Sequence, residues 1–379
     1  MNLFLYFIVL VSFLDTFVQL PIITPYALNL GASFVLTGSI VAIYSLTNIF
    51  GNLFGGHWID RYGRKKMLTT GMFLVSAILL LYPFAQNGWQ LFLIRFVHGL
   101  AGGILIPTVF AYIGDLSEQE NNKTGTKPMA YAGASIGLAA IIGPAVSGIM
   151  ASRSKIPYVF VGVSILFLFT AILTIYLLKE SFLSNGRGKF NLKDFMPIIK
   201  RPRIVQASLA AFSFMVSNGT LAFALPLNVE AMGLNTEATG ILFSSFGIVA
   251  LIVFLTPLNK IYERFQAIHL MIAGFLLIGL SLFSLSFIHN FIFSFFAMVI
   301  YGFGFSFIFP SMNQMIKNAS TKINRGKAYG IFYAFFSFGV VAGSTVSGII
   351  EELIGFPFIF GSLIMLLTAI ILFILTKKN

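Results

Sequence analysis

Twelve long apolar runs constrain this sequence more than any other feature. The hydrocarbon core of a bilayer is about 30 Å thick, so a helix needs about 20 apolar residues to cross it. Inside that core every backbone polar group must pair within the chain, so a long apolar run must be a helix. The runs cover 3–29, 34–56, 67–86, 89–113, 128–151, 156–178, 204–229, 239–258, 267–288, 290–315, 327–350 and 355–376. We therefore predict an all-α membrane protein with twelve transmembrane helices.

The composition agrees with a lipid environment and excludes several kinds of chemistry. Only 9% of the 379 residues are charged, against about 25% in soluble chains, which is too few to cover a water-facing surface. The absence of Cys excludes disulfides and thiol-ligated metals, and the four His residues show no ligand spacing. The first apolar run lacks a cleavage site and reads as a retained helix. We expect no enzyme activity, no metal and no cofactor, because no phosphate-binding loop, nucleophile elbow or close acid pair is present.

The distribution of Lys and Arg fixes the direction of the spans. When the N-terminus is placed inside, the basic loops all fall on the inner side. Only Arg153 and Lys155 face out, and Arg95 lies within a span. By the positive-inside rule, both termini are cytoplasmic in a multi-pass protein of the cell membrane. The net charge of +12 then reflects topology, and no nucleic-acid partner is expected. The basic inner segments are 57–66, 114–127, 179–203, 259–266, 316–327 and the C-terminal tail.

The second half of the sequence repeats features of the first half at an offset of about 200 residues. Asp60 and Pro107 are as far apart as Glu263 and Pro310. Other matching landmarks are Gly31 with Gly233, Gly38 with Gly240, and the segment 142–148 with 342–348. Such a repeat predicts two pseudo-twofold-related six-helix bundles.

The predicted domains follow from this repeat. They are an N-terminal bundle over 1–178, a basic cytoplasmic linker over 179–203 and a C-terminal bundle over 204–379. Two parallel six-helix halves describe an alternating-access carrier, with a solute site near the membrane midplane between halves that rock about it.

The loop after the second span places one acid among four bases and two glycines. It reads Gly56-His57-Trp58-Ile59-Asp60-Arg61-Tyr62-Gly63-Arg64-Lys65-Lys66-Met67-Leu68. A topology anchor would need the bases but neither the acid nor the glycines. The segment resembles the signature loop of the major facilitator superfamily, G-x-L-x-D-R-x-G-R-K-x-x-L, with Trp58 in place of Leu. Together with the twelve spans and the repeat, this resemblance covers the whole chain.

The resemblance implies a cytoplasmic gate. Asp60, beside Arg61, is then expected near the N-terminus of the eleventh span, where the helix dipole favours a negative charge. Arg64 is expected to pair with an acid at the inner end of the fourth span, matched here by Asp115. This cluster would latch the two halves together. The second-half copy of the loop keeps Glu263 and Arg264 but not the glycines.

The fourth span carries a basic residue within the membrane, in Arg95-Phe96-Val97-His98-Gly99. An Arg within a span costs roughly 2.5–3.5 kcal/mol on insertion scales, so it is functional and paired by default. The alternative is that Arg95 extends to the nearby outer surface. Arg95 and His98 share one helix face. The stretch resembles the R-x-x-Q-G motif of proton-coupled members of the superfamily, with His98 where Gln is usual, which leaves the role of His98 open.

The fifth span is rich in small residues. Gly137, Gly143, Pro144 and Gly148 resemble the glycine-proline motif typical of drug/proton antiporters in the superfamily, which favours export over uptake. Ala139 and Ser147 stand where that motif usually has Gly. The alternative is ordinary close packing of helices through small residues.

The first span contains Asp15, an acid deep inside the membrane. It shares a helix face with Ser12, Thr16 and Gln19, and we expect this face to look into the cavity. Burial favours the neutral carboxyl, so Asp15 is suited to exchange a proton or to meet a cationic solute. The alternative is a structural Asp held by Arg95 or by hydroxyl groups. Asp15, Gln19, Arg95 and His98 are therefore the candidate residues for proton coupling and the substrate cavity.

These features favour a proton-coupled exporter of small amphipathic or cationic organic molecules that works by alternating access. Its expected partners are a small-molecule substrate, protons and the lipid bilayer, and we expect it to function as a monomer. A dedicated exporter of a metabolite, sugar or metallophore is the alternative. A non-transporting receptor would need large modules outside the membrane, whereas the longest loop has about 25 residues.

Overall fold

The structure is a computed structural model that describes residues 3–119, 127–181, 196–320 and 325–377. Its described segments are helices joined by short turns. The helices of the first half are α1 (Leu3–Gln19), α2 (Ile23–Asn29), α3 (Phe34–Tyr62), α4 (Arg64–Leu79), α5 (Gly88–Gln119), α6 (Lys127–Arg153) and α7 (Ile156–Leu177). The remaining helices are α8 (Met196–Ile199), α9 (Pro202–Ala231), α10 (Thr236–Leu255), α11 (Ile261–Arg264), α12 (Ala267–Leu285), α13 (Phe291–Ala319), α14 (Arg325–Leu353) and α15 (Pro357–Lys377).

The helices account for the predicted membrane spans. Within the described residues, eleven helices are long and apolar enough to cross a membrane. The first predicted span, 3–29, is instead two helices, α1 and α2, which meet at an angle of 46°. Pro21 lies in the turn between them, where it supplies no N–H and disfavours helical backbone at Leu20. The prediction of an all-α, multi-span membrane protein is confirmed, with the bent pair as the twelfth span.

Two helices run past the apolar runs that predicted them. The second apolar run ends at residue 56, yet α3 continues to Tyr62. The fourth run ends at residue 113, yet α5 continues to Gln119. Hydropathy detects only the part of a helix in contact with lipid, whereas the backbone hydrogen bonds continue into the polar boundary region.

The chain forms two compact units. Unit 1 comprises residues 1–32 and 43–189, and unit 2 comprises residues 33–42 and 190–379. Within unit 1, α1 packs on α6, and α4 packs on both α5 and α7. Three glycines of α5 also bring its backbone close to α3. A Cβ on Gly103, for example, would lie 2.6 Å from the backbone O of Asn48.

Unit 2 repeats the same set of helix pairs. In this unit α9 packs on α14, α12 packs on α13 and α15, and α10 packs on α13. Close packing in both units depends on glycines at matching positions. Gly143 of α6 lies against Phe17 of α1, and Gly343 of α14 lies against the backbone of Val216 in α9. The repeat seen in the sequence is therefore also a repeat of helix contacts within each unit.

Candidate functional site

A cluster of buried polar side chains lies inside unit 1, built around the carboxylate of Asp15. Asp15 is 2% exposed, Arg95 is 3% exposed and His98 is 0% exposed. Burial of this degree is unusual for charged residues unless they are paired. The Asp15 cluster, as we define it, consists of Asp15, Gln19, Tyr44, Tyr82, Arg95 and His98.

Three polar groups surround the Asp15 carboxylate. Nε2 of Gln19, one helical turn away, donates a hydrogen bond to Oδ1 at 3.0 Å. The hydroxyl of Tyr44 donates to Oδ2 at 3.2 Å. Nε2 of His98 lies 3.2 Å from Oδ2, although it is not aligned as a regular hydrogen bond. Donors directed at a carboxylate stabilise its charged form.

Arg95 supplies the positive charge of the cluster. Its guanidinium Cζ lies 4.7 Å from the centre of the Tyr44 ring, in cation–π geometry. It also interacts electrostatically with the carboxylate of Asp15. Arg95 is therefore held inside the unit, and its side chain does not reach the outer surface.

His98 connects Asp15 with Tyr82. The hydroxyl of Tyr82 lies 2.9 Å from Nδ1 of His98, on the ring side away from Asp15. The ring of Tyr82 is itself fixed by stacking on Phe160, with 3.9 Å between ring centres. The hydroxyl of Tyr26 also donates to the backbone O of Tyr82, at 2.5 Å. The imidazole is therefore hydrogen-bonded to Tyr82 at Nδ1 and lies against the Asp15 carboxylate with Nε2.

Local sequence explains why these side chains meet. Asp15 and Gln19 are four residues apart on α1, and Arg95 and His98 are three apart on α5, so each pair shares a helix face. Gly99 and Gly102 remove the side chains that would keep α3 away from α5. A Cβ on Gly102 would lie 2.9 Å from the Tyr44 hydroxyl. The close approach lets Tyr44 of α3 reach Asp15.

The structure brings together all four residues predicted for proton coupling, but not in the expected setting. The face with Asp15 was expected to look into a cavity, and in this structure it is turned into the interior of unit 1. Burial alone was expected to favour the neutral carboxyl, whereas its neighbours stabilise the charged form. A hydroxyl group does hold Asp15, as the structural alternative required. Tyr44 and Tyr82 were not predicted, because tyrosines are frequent in this sequence and their partners lie far away along it.

The predicted gate motif forms a second polar group at one end of unit 1. Nε of Arg64 lies 3.1 Å from Oδ2 of Asp115, which is the pairing that the family resemblance implied. The hydroxyl of Ser181 donates to the same carboxylate at 3.0 Å. Gly56, Asp60 and Arg61 lie on α3, and their burial and contacts are outside what the structure describes. In unit 2, Glu263 and Arg264 are exposed on α11.

Glu180 belongs to the same polar group as Arg64 and was not predicted from the sequence. Its Oε1 accepts hydrogen bonds from the backbone N–H of Arg64 at 2.7 Å and of Lys65 at 3.2 Å. These are the first residues of α4, so Glu180 caps the positive end of that helix. Gly63 permits the contact, since a Cβ there would lie 2.6 Å from Oε2 of Glu180. The feature of the sequence that could have identified Glu180 is the presence of an acid directly after the sixth span.

The antiporter-type motif lies on α6, beside the helix that carries Asp15. Gly143 is in contact with α1 at Phe17 and Val18, and a Cβ there would lie 2.8 Å from Cβ of Phe17. Pro144 is accommodated within α6, which continues to Arg153. Gly137 and Gly148 lie on the same helix. Gly143 therefore sets how closely α6 approaches α1 next to Asp15.

The corresponding positions of unit 2 hold uncharged groups. At the offset between Gly31 and Gly233, Asp15 corresponds to Ser217, and at the offset between Pro107 and Pro310, His98 corresponds to Tyr301. The Ser217 Oγ and Tyr301 hydroxyl lie 2.9 Å apart. Both units therefore keep a polar contact between the corresponding helices, but in unit 1 the contact is made by an acid and a histidine.

Two units that repeat the same helix pairs, one of them with a buried acid beside an Arg, are typical of a multi-span membrane transporter. The sequence model described as "Major Facilitator Superfamily" matches residues 5–322 and 207–379. The chain belongs to that superfamily, as the signature loop predicted, and is not an enzyme.

Relatives and solved structures are similar over nearly the full length. "Multidrug resistance protein 1" of Bacillus subtilis (strain 168) is 26% identical over 360 residues, which cover 93% of this chain and 90% of that protein. "Quinolone resistance protein NorA" of Staphylococcus aureus is 26% identical over 355 residues, covering 91% and 88%. The crystal structure of the nucleoside transporter NupG has a TM-score of 0.78 at 15% identity and covers 100% of both chains. A bacterial homolog of the human lysosomal transporter Spinster, inward-facing and unoccupied, gives 0.75 at 14% identity, covering 98% and 94%.

Proposed function

We propose that this protein exports small amphipathic or cationic organic molecules in exchange for protons, by alternating access. The observation that carries the proposal is the burial of Asp15 in contact with His98 and beside Arg95. An ionisable residue inside a membrane span is expensive and marks a transport or proton pathway by default. The names of the relatives, multidrug resistance and quinolone resistance proteins, support a drug-like substrate.

The charges of the cluster suggest how exchange would be coupled. With Asp15 ionised and His98 neutral, the charges of Asp15 and Arg95 cancel. Adding one proton leaves the cluster with a net charge of +1, which opposes binding of a cation nearby, because Coulomb interactions are strong where water is excluded. A proton and a cationic substrate therefore disfavour each other's binding, and by linkage this effect is reciprocal. Such competition produces exchange without any further site.

The aromatic content of unit 2 supports an amphipathic, ring-containing substrate. Phe305 lies within 6.5 Å, centre to centre, of Phe214, Phe246 and Phe254, and it stacks on Phe309 at 5.5 Å. Aromatic rings offer apolar contact and also attract cations to their faces. The buried polar residues of unit 2 include serines and threonines, but the described part of this unit has no buried charged side chain. Unit 2 therefore offers aromatic surface without a buried charge, whereas the buried acid lies in unit 1.

Transport driven by a pH gradient tests the proposal. Purified protein in proteoliposomes should move ethidium, an aromatic monovalent cation, when a pH gradient is imposed. Asp15→Asn should lose this pH-driven transport, because the amide keeps the size of the carboxyl but holds no transferable proton. The variant should also bind ethidium more weakly and independently of pH, because Arg95 then leaves the cluster with the charge of its protonated state. Glu230→Gln, which alters an exposed acid on α9, is the matched control and should transport normally. Undiminished pH-driven transport by Asp15→Asn would show that Asp15 does not couple protons.

Orientation is part of the same proposal. We place the Arg64–Asp115 end of unit 1 and both chain termini in the cytoplasm of a cell whose plasma membrane holds the protein as a monomer. Because the chain has no Cys, a single introduced Cys is a unique label. Met196→Cys should react only with permeant maleimide in whole cells, and Asn235→Cys should also react with an impermeant one. The opposite labelling pattern would show that the protein has the reverse orientation in the membrane and would contradict the proposal of export.

A further inference from the structure

Tyr44 of α3 contacts the three ionisable side chains at the centre of the Asp15 cluster. Its hydroxyl donates a hydrogen bond to Oδ2 of Asp15 at 3.2 Å. Cζ of Arg95 lies over its ring, 4.7 Å from the ring centre. The same ring meets the imidazole of His98 edge-on, with 5.1 Å between the ring centres. The hydroxyl and the ring of Tyr44 therefore have different partners, and their roles can be separated.

The internal repeat shows that the fold uses the ring of Tyr44 without needing its hydroxyl. At the offset of the glycine landmarks in the same two helices, Tyr44 of α3 corresponds to Phe246 of α10. The ring of Phe246 meets that of Tyr301 at 5.6 Å and 68°, as the ring of Tyr44 meets that of His98 at 5.1 Å and 69°. A ring thus occupies the same place against the corresponding helix in both units, and only unit 1 adds a hydroxyl.

The hydroxyl is present in the unit that has a carboxylate to receive it. Asp15 and Arg95 of unit 1 correspond to Ser217 and Met298 of unit 2. The positions that match the acid and the base are therefore uncharged around Phe246. Since packing of the ring is the same in both units, the hydroxyl serves the charged groups and not the contact between helices.

Gly102 of α5 makes room for this hydroxyl. A Cβ on Gly102 would lie 2.9 Å from the hydroxyl oxygen of Tyr44, which is too close for both to be present without movement. The corresponding residue of unit 2 is Phe305, whose ring centre lies 5.6 Å from that of Phe246. Unit 1 thus pairs a tyrosine with a glycine, and unit 2 pairs two phenylalanines. A side chain at the second position accompanies loss of the hydroxyl at the first.

We propose that Tyr44 is a positioning residue, whose hydroxyl holds the Asp15 carboxylate against His98 while its ring holds Arg95 beside them. The inference rests on the proposed function of the Asp15 cluster, and it adds the group that sets the pH range of proton exchange. The titratable or charged groups around this hydroxyl are those three side chains and, beyond His98, Tyr82.

The hydroxyl of Tyr44 affects proton uptake because it is a donor to a charged acceptor. Such a hydrogen bond stabilises the negative charge of the carboxylate. Without it, the cluster takes up a proton at higher pH. This direction holds whether the proton goes to the carboxylate or to the imidazole of His98, because a carboxylate that lacks the donor attracts a proton more strongly in either place.

The pH dependence of ethidium binding to the purified protein tests the proposal. Because proton and cation compete, ethidium affinity should rise with pH, and Tyr44→Phe should move the midpoint of this rise up by about one to two pH units. Tyr301→Phe removes a buried hydroxyl of unit 2, which lies 2.9 Å from Oγ of Ser217, and should leave the midpoint in place. An unchanged midpoint in Tyr44→Phe, or an equal shift in Tyr301→Phe, would overturn the proposal. Binding by Asp15→Asn that keeps the natural pH dependence would instead reject the proposed function.

Gly102→Ala provides an independent route to the same effect. The new Cβ should displace the Tyr44 hydroxyl from Asp15, so the midpoint should shift in the same direction as in Tyr44→Phe. The double variant should shift no further than Tyr44→Phe alone, because the nearest remaining ring atom, Cζ, lies 3.6 Å from the Cβ. Additive shifts would contradict the shared role. Failure of Tyr44→Phe to fold, judged by gel filtration, would assign the hydroxyl a structural role and would also overturn the proposal.

Discussion

Replacement of Gly63 by Ala should destabilise unit 1 through two separate effects. Gly63 has φ of 92° and ψ of 159°, a region of backbone space used almost only by glycine. Forcing another residue into it costs about 1–3 kcal/mol. The new Cβ would also lie 2.6 Å from Oε2 of Glu180, so the carboxylate must move away from the start of α4. Loss of that helix cap costs a further 0.5–2 kcal/mol, roughly.

A double-mutant cycle separates the two effects. Glu180→Ala removes the cap alone, and Gly63→Ala in that background should retain only the backbone strain. The free energy of unfolding, from denaturant titration in detergent micelles, should therefore show a coupling of about 0.5–2 kcal/mol between the two sites. Thr69→Ala, further along α4, serves as the reference for an ordinary substitution in the same helix. Strictly additive losses would refute the contact between Gly63 and Glu180, and an unchanged stability in Gly63→Ala would refute the strain as well.

Two further predictions concern packing and the gate. Gly143→Leu should destabilise the protein by about 1–3 kcal/mol through overpacking, because a Cβ at this position meets Phe17 of α1. A Cβ on Gly133 of the same helix would have no atom within 4 Å, so Gly133→Leu should cost little in the same denaturation assay. Arg64→Gln and Asp115→Asn should each lower the free energy of unfolding by about 0.5–2 kcal/mol. Their combination should cost little more than one of them, since both break the same ion pair; full additivity in a double-mutant cycle would contradict that pairing.

The sequence predicted the architecture well because the membrane leaves few choices. Apolar length alone located the spans, since a bilayer accepts only helices or closed barrels. The repeat then predicted two units, and the structure shows the same helix pairs in each. The break between α1 and α2 was missed, because the apolar run continues through Pro21 and hydropathy does not register a bend.

The site was predicted in its charged members but not in its arrangement. Asp15 and Arg95 are conspicuous because charge inside a span is rare. Their contact depends on the approach of helices that are far apart in sequence and on the rotation of α1, neither of which hydropathy determines. Tyr44 and Tyr82 became recognisable only once the structure placed their hydroxyls beside Asp15 and His98. Glu180 was overlooked because an acid after a span usually marks only a solvated loop.

The proton count on substrate binding tests the central claim most directly. Ethidium is added to purified protein in weakly buffered detergent solution at a pH where the free cluster is partly protonated, and the pH change is recorded with calorimetric binding in parallel. The account predicts that the natural protein releases up to about one proton per ethidium bound, by linkage, and that Asp15→Asn binds ethidium more weakly and releases none. Equal proton release by Asp15→Asn and the natural protein would contradict the account, because the exchanged proton would then come from another group.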